Sequence, residues 1–257
     1  MPLAVVTGAS SGIGYELARI LAREGHDLVL VARRGATLAE LADRLRADHG
    51  VKPKILPKDL TDPAAPGGVA AKLEADGARV DVLVSSAGYA SYGAFARSAS
   101  TNELRMIQVN VMALTALTGL LVPGMVERGN GRILHVASTA AFQPGPLMAV
   151  YYATKAYVLS FSEALANELE GTGVTVTALC PGPTESGFQA RANMKDSKLV
   201  QDGLLPAPRV AEAGYRAMMR GKTVEVPGFK NALGTQLPRI LPRRTATAIV
   251  RRAQQRI

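Results

Sequence analysis

The chain has 257 residues, 47% hydrophobic and 20% charged, which suits one sizeable folded core and excludes a disordered or collagen-like polymer. Cys180 is the only cysteine, so an intrachain disulfide and a cysteine-rich zinc site are excluded and a reducing, cytoplasmic location is expected. The net charge of +9 is unevenly placed: seven Lys/Arg and no acid fall between Lys230 and Ile257, leaving a nearly neutral body and a basic tail.

Met1-Pro2-Leu3-Ala4-Val5-Val6 carries no basic segment and enters an apolar strand at once, so a secretory leader is not expected. That strand, predicted over 3–7, runs into Thr7-Gly8-Ala9-Ser10-Ser11-Gly12-Ile13-Gly14 and a helix over 12–24. A strand over 27–32 ends at Arg33-Arg34, and a helix over 36–49 leads to a third strand over 53–56. Next come Lys58-Asp59-Leu60-Thr61, a helix over 63–77, a strand over 81–85 and the turn Ser85-Ser86-Ala87-Gly88. A helix over 101–127 contains the apolar stretch Met112 to Val122, which is too short to span a bilayer and reads as buried. The strand over 132–137 ends at Ser138, a helix over 150–170 opens with Tyr151, and a strand over 174–180 ends at Pro181-Gly182. Residues 183–207 then run longer than an ordinary connection, as a binding loop or lid does, before a helix over 208–220 and a strand over 223–226.

Short runs such as Leu28-Val29-Leu30-Val31 are continuously apolar, as strands covered on both faces must be. Alternating with helices, they predict an α/β chain: one doubly wound (Rossmann) domain over 1–226 with a seven-stranded parallel sheet flanked by helices, and a basic extension over 227–257. In the extension, Ala246, Ile249, Val250, Ala253 and Ile257 share a helical face, with Arg244, Arg251 and Arg252 off it. Such a pattern suits packing on the protein itself or peripheral contact with an anionic membrane. Nucleic acid is not the expected partner, because no aromatic residue follows Phe229 to stack on bases.

Three motifs carry chemistry. Glycines between a strand and a helix let the backbone approach a diphosphate, whose charge the helix amides favour. Tyr151 and Lys155 stand four apart on one helical face, where an ammonium can lower a phenol's pKa; Tyr152 has only Ala156 at that spacing and reads as a packing or pocket residue. Ser138 ends a strand, where doubly wound sheets bind their ligands. The arginines after the second strand, Arg33 above all, stand where an enzyme preferring NAD places an acid, and they suit a 2′-phosphate, so NADP(H) is the expected cofactor. Ser10 is a further candidate for that phosphate. His26, His49 and His135 are scattered, which argues against a metal site or a Ser-His-Asp triad.

Together, T-G-x-x-x-G-x-G, a serine thirteen residues before a tyrosine, and Y-x-x-x-K make the sequence resemble the short-chain dehydrogenase/reductase family over roughly 1–226. The resemblance implies a catalytic set of Asn110, Ser138, Tyr151 and Lys155, with Asn110 holding a water that links Lys155 to solvent. It implies a cofactor site of Gly8, Ser10, Ser11, Gly12, Ile13, Gly14, Arg33, Arg34, Asp59, Leu60, Ala87, Gly88, Lys155, Pro181, Gly182 and Thr184. Hydride would pass between nicotinamide and a carbonyl or alcohol while Tyr151 exchanges the proton. One departure is Ser85-Ser86, where the family usually has two asparagines.

A cofactor-binding sensor on the same fold is the alternative, and retention of all four catalytic groups argues against it. The substrate chamber is expected from 88–95, 139–148 and 183–207, with Ala140, Ala141, Phe142, Leu147 and Met148 suggesting an apolar aldehyde or ketone. Acyl, steroid-like and simple aldehyde compounds all fit that description. Helices 101–127 and 150–170 resemble those that form subunit interfaces in similar enzymes, so a homodimer or homotetramer is expected.

Overall fold

The computed structural model describes residues 1–188, 192, 194 and 203–255, so part of the 183–207 segment, and Ile257 of the tail's apolar face, lie outside the described residues. Seven strands form one sheet: β1 (Leu3–Thr7), β2 (Asp27–Ala32), β3 (Pro53–Pro57), β4 (Val80–Ser85), β5 (Gly131–Val136), β6 (Val174–Leu179) and β7 (Val224–Glu225). All neighbours are parallel. Their spatial order, β3-β2-β1-β4-β5-β6-β7, reverses direction between β1 and β4. The expected sheet is therefore present, and its switch point opens a crevice at the carboxyl ends of the central strands.

The strands are apolar throughout because helices cover both faces. Ala4, Val6, Val82, Val84 and Leu134 pack with α1 (Gly12–Arg23), α2 (Gly35–His49) and α7 (Ala207–Met219). Val5, Leu83, Ile133 and Val176 turn to the opposite face, against α3 (Ala65–Ala75) and the long helix that precedes β5.

That long helix comprises α4 (Ser100–Ile107), a π-helical segment (Gln108–Ala113) and α5 (Leu114–Glu127). Over Ser100–Glu127 it is long and apolar enough to cross a membrane by length and composition, which the stretch Met112 to Val122 alone was not. Met106, Asn110, Ala113, Leu117, Thr118 and Met125 are buried in the protein, but Met112 and Leu120 are exposed, so the stretch Met112 to Val122, expected to be buried, is buried on one face only. His135 ties this layer together from β5: its ring nitrogens lie 3.0 Å from Thr118 Oγ1 on α5 and 2.9 Å from Ser162 Oγ on α6 (Ala149–Glu168).

Two features escaped the sequence pattern. Thr184–Glu185 and Leu205–Pro206 form a short parallel ladder that closes the base of the 183–207 segment. The second is α8 (Phe229–Ile240), a helix that packs against α9 (Arg243–Ala253), on which the expected apolar face of the extension falls.

Candidate active site

The crevice holds a cleft of about 420 Å³ that runs from the glycine turn to the start of α6. At one end, Gly8 and Gly12 adopt φ of +69° and +59°, which side-chain-bearing residues rarely do. A Cβ on Gly8 would lie 2.8 Å from Ala87 N, and one on Gly14 2.6 Å from Gly8 O, so the turn is a cradle only glycines can form. Ser10, Ser11, Gly12 and Ile13 line the cleft where α1 begins. Gly14 stands behind that wall and serves helix-to-turn packing. Thr7 Oγ1 accepts from Ser86 N and Ala87 N at 3.1 and 3.2 Å, lashing the turn after β4 to the end of β1. Ser85 Oγ, at one of the two positions where the family usually has asparagine, is buried with no hydrogen-bond partner among the described residues.

Arg33, Arg34, Asp59 and Leu60 line the cleft at the ends of β2 and β3. Arg34 donates from Nη2 to Ser10 O at 2.9 Å and to Ser10 Oγ at 3.1 Å, so its guanidinium is held against the turn. Asp59 Oδ1 accepts from Thr61 N at 3.0 Å and sets the loop after β3. Ala87, Gly88, Pro181, Gly182, Thr184 and Lys155 complete the wall. Lys58, which the sequence reading passed over, also lines it. A glycine cradle at a helix start with two guanidiniums beside it fits a dinucleotide that carries an extra phosphate on its ribose.

At the inner end, Ser138, Tyr151 and Lys155 come together. Ser138 leaves β5 extended and accepts from Ala140 N at 3.1 Å, which fixes its hydroxyl. Tyr151, in the first turn of α6, is buried; burial raises its phenol far above the usual value, and a hydrogen bond with Ser138 opposes this. Lys155 Nζ donates to Val136 O at 2.7 Å and lies 5.8 Å from the Tyr151 ring centroid. Burial lowers its ammonium to about 8. The expected lowering of the tyrosine by the lysine is thus not seen: desolvation prevails, and the phenol keeps its proton throughout the neutral range.

Asn110 lies behind the cleft wall, almost fully buried in the π-helical segment. Its Oδ1 accepts from Tyr89 N at 3.1 Å, and its Nδ2 donates to Tyr89 O at 3.0 Å and Thr154 Oγ1 at 3.1 Å. It braces the loop after β4 against α6, next to Gly88, where a Cβ would meet Asn110 Oδ1 at 3.1 Å and Lys155 Nζ at 3.6 Å.

The outer chamber is lined by Tyr89, Gln143, Met148, Tyr152, Phe188 and Met194 beside Ala140. Ala141 and Phe142 instead pack towards Val158 and Leu159, and Leu147 adopts φ +69°. Tyr152 is a wall residue held on three sides. A Cβ on Gly145 would lie 2.2 Å from its ring, Tyr151 meets it edge-on at 6.1 Å, and Gln254 Nε2 donates to its hydroxyl at 2.5 Å. Tyr92 Oη donates to Gln254 O at 2.5 Å. Gln254, just past α9, was absent from the sequence reading, since nothing local links it to a tyrosine 102 positions away. Among the described residues no His/Cys/Asp/Glu group could hold a metal.

A parallel sheet with a glycine cradle at its switch point, and a tyrosine, lysine and serine at the same edge, defines a dinucleotide-dependent oxidoreductase. The chain belongs to the short chain dehydrogenase family, whose model matches residues 2–197. It is 32% identical over 238 residues to the ketoacyl reductase HetN of Nostoc sp., covering 92% of this chain and 82% of that protein. It is 38% identical over 181 residues to the NADP-dependent 3-hydroxy acid dehydrogenase YdfG of Escherichia coli, covering 70% and 71% of the two chains. A short-chain dehydrogenase from Sphingobium yanoikuyae, solved in complex with NADPH, superposes with a TM-score of 0.84 at 34% identity, covering 94% of this chain and 97% of that one.

Proposed function

We propose that this protein is an NADP(H)-dependent reductase of an apolar aldehyde or ketone that also runs in reverse on the alcohol. The observation that carries the reading is the cluster of buried Tyr151 and Lys155 with half-buried Ser138 in a cleft whose other end is a glycine cradle. When bound, the cofactor supplies the hydride. Ser138, its hydroxyl oriented by Ala140 N, holds the substrate oxygen beside Tyr151. Tyr151, kept protonated by burial, gives that oxygen its proton as general acid. Lys155 provides positive charge near the phenol and, with Asn110 behind it, a route for resupplying the proton.

Arg33, Arg34 and Ser10 would hold the 2′-phosphate, Asp59 and Leu60 the adenine end, and Pro181, Gly182 and Thr184 the nicotinamide end. NADPH in the Sphingobium structure and the NADP dependence of YdfG support the choice of cofactor. Ala140, Met148, Phe188 and Met194 favour an apolar substrate. Leu104, Met112, Leu120 and Val126 on the long helix and Tyr157 on α6 are exposed apolar or aromatic side chains on the two helices through which the subunits would pair as homodimers or homotetramers. The one cysteine is buried, which suits a cytoplasmic protein.

The test is NADPH consumption across an aromatic ketone, medium-chain aldehydes, a 3-oxoacyl thioester and a steroid ketone. Turnover of at least one, faster with NADPH than with NADH, is expected. No carbonyl-dependent consumption of either cofactor across the panel overturns the proposal.

A further inference from the structure

The sequence places the tail's apolar face on α9, yet α9 turns much of that face inward. Ala246 and Gln254 are buried, and Val250 packs on the chamber cluster. Helix α8 does the opposite. Phe229, Leu233, Leu237 and Ile240 are 83%, 59%, 49% and 78% exposed. At 3.6 residues per turn they fall within an arc of about 80°. Thr235, on the far side of the helix, is buried. Four large apolar side chains on one solvent-facing arc need a partner.

The charge along α8 and α9 has one sign. Lys230, Arg239, Arg243, Arg244, Arg251 and Arg252 are all exposed, and no acid follows Glu225. Among the described residues none of these six forms an ion pair, whereas Arg19, Arg23, Arg46, Lys72 and Lys222 in the body do.

We propose that α8 and α9 form a docking surface for an anionic lipid membrane, with the α8 arc at the acyl boundary and the exposed cations of the two helices on headgroup phosphates. A membrane offers anionic charge over an apolar layer, and this surface presents the complement of both. A second copy of the chain fits poorly, because two such tails would bring together two sets of cations with no acid to answer them. A nucleic acid would meet the charge and leave the arc with nothing apolar to bury against.

The surface stands beside the substrate chamber, since Gln254 at the end of α9 holds Tyr152. If the carbonyl-reductase reading holds, the docked enzyme would draw an apolar substrate from the bilayer; the docking itself does not depend on that reading.

The chain has no tryptophan, so Phe229→Trp in the full-length protein gives a single fluorophore on the arc. It is titrated with phosphatidylcholine vesicles with and without phosphatidylglycerol, at low and high salt. The expected result is a blue-shifted emission, quenched by brominated acyl chains, with the anionic vesicles only, and at least tenfold weaker at high salt. Co-sedimentation of wild type should follow the same pattern and fall at least tenfold in Leu233→Ser/Ile240→Ser, with melting temperature and NADPH affinity unchanged. An unshifted emission with anionic vesicles overturns the proposal. So does undiminished sedimentation of the double variant, which would mean adsorption by charge alone. A mass that halves in that variant without lipid also overturns it, because the arc would then be an interface between copies. Each readout is independent of turnover, so its failure is distinguishable from failure of the enzyme reading.

Discussion

Tyr151 and Tyr152 are neighbours in sequence with different surroundings. Tyr151 shares a hydrogen bond with Ser138 and has Lys155 one turn on, while Tyr152 is held by Gly145 and Gln254. The first was legible because its partners are local or in a fixed motif; the second was not, because Gln254 reaches it only through the packing of α9. Gln254→Met keeps the bulk and removes the bond, leaving the Tyr152 hydroxyl, already pushed up to about 12 by burial, without its donor. KM for the carbonyl compound should rise roughly three- to tenfold, the worth of one such bond. The maximal rate and NADPH affinity should hold. Steady-state kinetics beside a cofactor titration check this, and an unchanged KM would leave Gln254 a packing residue only.

Arg33 and Arg34 show a residue-scale limit of another kind. Their position after β2 was plain in the sequence, but which one turns to the turn at Ser10 is decided by side-chain geometry, and it is Arg34. Arg33 is exposed at the cleft and lines it. Fluorescence titration should show NADPH binding more tightly than NADH by on the order of ten- to a hundredfold, the range for charged hydrogen bonds to a phosphate. Arg33→Asp should reverse that order. A variant that keeps the NADPH preference would assign the phosphate to Arg34 and Ser10 alone.

At the scale of elements, the strands of the sheet were legible because burial on both faces demands continuous Val, Leu and Ile runs. The ladder at Thr184–Glu185 is too short to show a period, and α8 hides because its apolar residues face out rather than into a core. The π-helical segment is equally silent in sequence, yet it carries Asn110 into the wall behind Lys155.

His135 links three of these elements and gives them a pH dependence. Burial lowers its imidazole from 6.5 to about 3, so the folded protein keeps it neutral. As pH falls below 6.5, the unfolded chain takes up a proton that the folded chain refuses, and stability is lost down to about pH 3. Near pH 4.5 this one residue should lower stability by up to about 3 kcal/mol relative to neutral pH. Urea unfolding at both pH values should show a smaller loss in His135→Gln than in wild type. Equal losses would mean that the histidine is protonated in place.

At the scale of the whole molecule, a nearly neutral α/β body carries the cofactor cleft, and a basic two-helix extension closes one side of the substrate chamber. The fold, the glycine cradle and the Tyr/Ser/Lys cluster could be read from motifs along the chain. The chamber was legible only in part: the segments after β4, β5 and β6 were expected as its walls, whereas the contribution from beyond α9 was not, because only the fold brings Gln254 to Tyr152.

In the proposed reaction Tyr151 is the proton donor and its neighbour Tyr152 a wall of the chamber. The most direct measurement is carbonyl-dependent NADPH oxidation by wild type, Tyr151→Phe and Tyr152→Phe, with NADPH affinity measured on each. Tyr151→Phe should fall by at least a hundredfold, at the lower end for general-acid catalysis, with cofactor binding intact. Tyr152→Phe should keep a maximal rate close to wild type. Turnover in Tyr151→Phe at the wild-type rate would contradict the account.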